Sequence, residues 1–190
     1  MRALRLLALL TLSLSTTGCE WFIRGGRVKS VGEQAEPGTA FDASSADAIV
    51  VIGVSQIAGL TVVSGIDDGT TWHRHHFFNG AGAKTDDGFV VIKLKPRRGK
   101  SRYAISSVSF SGELGSYVFP PNTGVLVFDA PRGKVTYIGG FTVDFASEGL
   151  TNGARLRDDP SITRAQAAAF MVRRYPQIKA EPVMGRVHWL

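Results

Sequence analysis

Cys19 is the only cysteine among 190 residues, so no disulfide can form within the chain. No run of about twenty apolar residues occurs, which is what a helix rising about 1.5 Å per residue needs to cross the hydrocarbon core of a bilayer. Catalytic signatures are equally scarce. Gly53-Val54-Ser55-Gln56-Ile57 lacks the second glycine of a nucleophile elbow. Gly99-Lys100-Ser101 imitates the end of a phosphate-binding loop, but Leu94 stands where its first glycine is required. The pairs Asp67-Asp68 and Asp86-Asp87 each precede a glycine, as turn-capping carboxylates do. Asp158-Asp159 precedes an expected helix, where negative charge offsets the helix dipole. No residue is therefore expected to be catalytic, and an enzyme is not expected.

The N-terminus is richer in information. Arg2 and Arg5 precede the apolar run Leu6–Leu14, and small residues then lead to the lone thiol in Ser15-Thr16-Thr17-Gly18-Cys19. A charged start, a short apolar stretch and a small-residue end describe an export signal. The segment resembles the lipobox of bacterial lipoproteins, with Thr16 where that family most often has Leu. The resemblance implies cleavage between Gly18 and Cys19 and a diacylglyceryl group on the Cys19 sulfur, with palmitate-type chains. It implies a covalent lipid and no other cofactor. Lipidation would also consume a thiol that has no partner in an oxidising compartment. Loss of residues 1–18 removes Arg2 and Arg5, so the formal charge falls from +6 to +4. In the cell envelope this mild positive charge suits solubility or contact with anionic lipids and polymers, and nucleic acid is not an expected partner. Glu20 follows the cysteine, where Asp would resemble the inner-membrane retention signal of enteric bacteria. The expected location is the periplasmic face of the outer membrane, with the inner membrane as the alternative.

From Glu20 to about Gly38 the chain is polar and without apolar period, so residues 19–40 are expected to form a flexible tether. Trp21, Phe22 and Ile23 are expected to pack among headgroups. Residues 41–190 read as one domain. Short β-rich runs are predicted near 48–54, 60–64, 71–78, 89–95, 103–110, 125–128, 134–145 and 154–157. Asp68-Gly69, Asn79-Gly80, Asp87-Gly88, Pro120-Pro121-Asn122 and Asn152-Gly153 are read as the turns between them. This spacing predicts an antiparallel β-sandwich or small barrel. Ile49-Val50-Val51-Ile52 is apolar on both faces and is expected at the centre of a sheet. In 134–145, Val135, Tyr137, Phe141, Val143 and Phe145 are assigned to one face. Gly139-Gly140 is expected to bend that strand from one sheet into the other. One helix, 162–174, is predicted, capped by Asp159 or Ser161, with Ala165, Ala168, Ala169 and Val172 at helical spacing and Tyr175-Pro176 ending it. Residues 182–190 offer one further edge strand.

Gly124–Phe128, Gly133–Gly139, Ala154–Asp159 and Tyr103-Ala104-Ile105, with the helix ending at Tyr175-Pro176, resemble the β-sandwich domain of small uncharacterised envelope lipoproteins. That likeness implies an envelope protein and assigns no functional residue. Gly149–Gly153 followed by Ile162–Phe170 is similar to the closing half of a surface-layer homology repeat, which binds cell-wall polymers. The helix that should precede it is replaced by the β alternation of 134–145.

Two clusters carry candidate chemistry. His73 and His75 would share a strand face about 7 Å apart, at a rise of about 3.4 Å per residue, a workable spacing for two imidazoles on one Zn²⁺ or Cu²⁺. Asp67, Asp68 or His188 would have to supply a third ligand. Lys95, Arg97, Arg98, Lys100 and Arg102 crowd one predicted hairpin loop, suited to an anionic surface or to protecting a strand edge. The expectation is a lipid-anchored envelope protein of structural or binding role, contacting another envelope protein or an anionic polymer. The alternatives are a periplasmic metal-binding protein using His73 and His75 and, more distantly, a cell-wall-polymer binding module or hydrolase.

Overall fold

The computed structural model describes residues 30–75, 80–96, 102–109, 116–118, 124–148 and 151–190. Among them the chain is mainly β, a sandwich of two sheets with a C-terminal helix. The first strands are β1 (Gly32–Gln34), β2 (Ala48–Val54), β3 (Gly59–Asp67), β4 (Trp72–Arg74), β5 (Gly80–Lys84) and β6 (Phe89–Leu94). Next come β7 (Arg102–Ser109), β8 (Ser116–Val118), β9 (Leu126–Asp129), β10 (Val135–Glu148) and β11 (Thr151–Asp158). Helix α1 (Arg164–Arg174), β12 (Val183–Met184) and β13 (Val187–Trp189) complete the order. One sheet runs β1-β6-β2-β10-β11 with β12 on β10, and the other β13-β9-β7-β3-β4 with β5 on β3 and β8 on β7. All pairings are antiparallel except β2 with β10 and β10 with β12.

Period-two alternation decides what each face buries. On β2, Val50, Ile52 and Val54 point between the sheets, where they meet Leu60, Val62 and Ile105. Ile49 and Val51 point outward beneath α1. Every residue of β2 is buried, as expected of a central strand. Each such aliphatic side chain removed from water contributes about 1.5–3 kcal/mol.

The long strand β10 departs from expectation in an informative way. It stays in one sheet, pairing with β2 on one side and with β12 and then β11 on the other. The register shifts between Tyr137 and Gly140, and Gly139 takes φ +122°, a conformation that glycine adopts without a Cβ clash. This bulge inverts the faces. Val135 and Tyr137 belong to the layer under the helix, whereas Phe141 and Val143 belong to the inter-sheet core with Ile138. A Cβ at Gly140 would lie 2.5 Å from Ile162 Cβ and 2.7 Å from the Asp159 carbonyl oxygen, so the bulge also admits the loop leading into α1.

Helix α1 is capped by Thr163 rather than by Asp159 or Ser161. Its Oγ1 accepts from Gln166 N, while Gln166 Oε1 accepts from Thr163 N at 2.6 Å, a reciprocal box that satisfies two free donors. Asp159 instead closes the preceding turn, accepting from Ser161 N at 3.0 Å. The buried stripe is Ala167, Phe170 and Met171; Val172, placed by spacing on an apolar face, is 76 % exposed.

Two further expectations are corrected. The tether does not extend to residue 40. β1 pairs with β6, and Val31 is buried in the inter-sheet core while Ala35 is buried in the layer under the helix. Asn152-Gly153 is not a turn; it lies inside β11, opposite Ser147 and Ala146. Asp87-Gly88 is a turn, with φ +48° and +81°, the two-residue geometry that suits the twist of a hairpin.

Candidate functional site

The last residues of the chain close one seam of the sandwich. β12 lies beside the first half of β10, with Thr136 opposite Val183 and Tyr137 opposite Met184, and Gly185 N donates to Tyr137 O at 2.9 Å. The chain then crosses to the other sheet, where β13 pairs with β9 and Asp129 N donates to Arg186 O at 3.2 Å. Val183, Met184, Val187 and Trp189 remain 40–59 % exposed along this crossing. Single exposed apolar residues are ordinary; here four lie along one crossing.

Two cavities flank the crossing and share Met184. One, of about 370 Å³, lies against the β10 bulge, between Gly139, Gly140, Asp158, Ile162, Arg164 and Val187. Tyr137 also lines it and donates its hydroxyl proton to Ile162 O at 2.5 Å. Burial and then the nearby Asp159 charge push the Tyr137 phenol up to about 12, so it stays protonated. The other cavity, of about 300 Å³, is lined by Asp129, Pro131, Thr136, Val183, Met184 and Arg186. Thr136 is 2 % exposed and its Oγ1 has no hydrogen-bond partner. Buried hydroxyls are nearly always paired, and this one is an exception among the described residues.

Next to the second cavity runs a charge network across the outer face of the β13-β9-β7-β3 sheet. Asp67, at the end of β3, has a side chain only 2 % exposed. Its carboxylate accepts from Gly69 N at 2.7 Å and from Arg102 Nη1 at 3.0 Å, and His188 Nε2 lies 2.6 Å away. The Gly69 bond, then His188 and Arg102, hold Asp67 below the usual carboxylate range against the opposing effect of burial. Arg102 is shared, its Nε also lying 3.6 Å from Asp129. Because Asp67 is more acidic folded than unfolded, its contribution is present above about pH 4 and lost as pH falls through its lowered folded value. Asp67→Asn is therefore expected to cost about 2 kcal/mol at neutral pH, the scale of hydrogen bonds to a charged group. Denaturant midpoints of the two proteins should converge below about pH 4.

The predicted site residues are distributed as follows. Gly18, Cys19, Arg97, Arg98 and Lys100 lie outside the described residues. Lys95 meets Glu33 at 3.5 Å and Arg102 joins the Asp67 network, so both ends of the basic run are engaged by carboxylates. His73 Nε2 lies 3.1 Å from Asp68 Oδ2, and Asp68 is held well below the usual range by the Thr70 and Thr71 N–H groups and by His73. His75 lies past the end of β4, with its N–H donating to Ser64 O at 3.1 Å. Asp67 and Asp68, considered as third ligands, turn to His188 and His73 respectively. No group of three His, Cys, Asp or Glu side chains among the described residues is placed to hold a metal ion. Sequence reasoning missed Thr136, Asp129 and Arg186 as cavity residues. Nothing in the sequence marks them, since Thr136 falls on the polar face of 134–145.

Compared with protein-family models, curated proteins and solved structures, the chain matches none. No helix among the described residues is long and apolar enough to cross a membrane.

Proposed function

We propose that this protein is a lipid-anchored module of the cell envelope whose folded body binds a partner rather than catalysing a reaction. The observation that carries the reading is the lone Cys19, placed after the basic start, the apolar run and the small residues that resemble a lipobox. Ser30, where the described fold begins, follows Cys19 by eleven residues, which span at most about 40 Å when fully extended. An anchored body would thus work close to its bilayer. Support for a binding role comes from the seam, where two cavities and four exposed apolar side chains converge on Met184. The partner proposed is another envelope protein or an envelope polymer, and the membrane proposed is the outer one, at its periplasmic face.

Growth of the native bacterium, or of a host with lipoprotein processing, on a traceable palmitate analogue tests the anchor. The label should enter the protein, and mass spectrometry should find a mature N-terminus at Cys19 carrying diacylglycerol. An intact leader, or an unmodified sulfur, would refute it.

A further inference from the structure

The smaller cavity combines features that neither strand pairing nor core packing explains. Opposite charges line it without satisfying each other: Asp129 and Arg186 share the wall but form no ion pair, and Arg186 pairs with no described carboxylate. Asp129 is only partly neutralised, because among the described residues its one ion-pair partner, Arg102, lies closer to Asp67, at 3.0 Å, than to it, at 3.6 Å. Thr136 stands in the same wall, and its methyl group faces Gly185. Pro131, Val183 and Met184 supply an apolar remainder. A volume of about 300 Å³ lies at the low end for small-molecule sites, which suits an occupant smaller than a drug-sized ligand.

We propose that this cavity binds a small zwitterion with an aliphatic side chain, namely an α-amino acid. Its carboxylate meets the Arg186 guanidinium, a planar donor suited to that group. Its ammonium meets Asp129, and its side chain lies on Val183, Met184 and Pro131. A ligand with one charge would leave the other wall charge unmatched, so the site discriminates by requiring both. This names the ligand class of the binding module proposed above and rests on that reading of the folded body, not on the lipid.

The full chain, purified in detergent, would be titrated calorimetrically with leucine, leucinamide and N-acetylleucine. Leucine should bind one per chain. Leucinamide, which lacks the carboxylate, and N-acetylleucine, which lacks the ammonium, should each bind at least about tenfold more weakly. Arg186→Gln should abolish the preference for leucine over leucinamide while keeping that over N-acetylleucine, and Asp129→Asn should do the reverse. No heat with any of the three compounds, or a capped form binding as well as leucine, would overturn the proposal. The ligand comparison uses the unaltered protein, so it stands even if a variant misfolds. Cys19→Ser should leave these titrations unchanged, which separates failure of the site from failure of the anchor.

Discussion

Cys19→Ser should transfer the protein from the membrane fraction to the soluble fraction. A single myristoyl chain holds a protein to a bilayer with a binding constant of only about 10⁴ M⁻¹, and each further buried methylene adds about 0.8 kcal/mol. A diacylglyceryl cysteine brings two chains at once, so its loss removes essentially all of the hydrophobic attachment. Serine keeps the size of the side chain but supplies no sulfur for the thioether. The remaining candidates for membrane contact are Trp21, Phe22 and Ile23 and the modest positive charge, each of which acts only near the surface. Fractionation followed by a high-salt wash reads the result directly. A wild-type protein found free of membranes would end the anchoring proposal, as would a Cys19→Ser protein that has lost its leader and still stays with membranes after the wash.

The second large effect concerns the folded body. Phe170→Ala is expected to lower stability by about 3–5 kcal/mol, a large share of what a domain of this size possesses. Phe170 is 2 % exposed and occupies the centre of the layer between α1 and the β2-β10 face. Its ring stacks on Phe89 at 4.9 Å between centroids and meets Tyr175 edge-on at 5.8 Å. Truncation thus forfeits the transfer energy of the ring, leaves a cavity that surrounding strands cannot collapse into, and breaks two aromatic pairs. Val172→Ala, two residues along the same helix and on its solvent side, should change stability by no more than about 0.5 kcal/mol. Urea denaturation of both variants measures the contrast. Equal midpoints would mean that the helix does not pack through Phe170.

The contrast between those two helix positions also explains what could be foreseen. Strands that carry strong alternation or full burial, such as β2, β6 and β10, were legible because one strand's side chains report its faces by themselves. β1 and β5 were not, and the single edge strand expected in 182–190 is two short ones, β12 and β13, in different sheets. Gly80-Ala81-Gly82-Ala83-Lys84 has almost no side chains with which to declare a face, and β12 is two residues long; both are strands only because β3 and β10 lie beside them. The apolar face of α1 was misjudged because four alanines permit several stripes, and only the position of the sheet selects Ala167, Phe170 and Met171. The glycines of β10 announced an irregularity, but whether it would bend the strand across the sandwich or invert its faces depends on partners far away in the chain. The seam cavities were hidden for the same reason. Asp129, Thr136 and Arg186 come from three separate strands or their flanks, and nothing local marks them as neighbours.

The parallel alignment of β2 with β10 has a consequence for how the protein is made. Ile49 cannot find Val135 until most of the polypeptide has been synthesised, and the central strand of the sheet lacks one flank until then. Pairings between such distant segments form slowly, since a long loop must be closed before any of them is rewarded. The sheet is therefore completed late, after the pairings of β2 with β6 and of β3 with β5 have already become available.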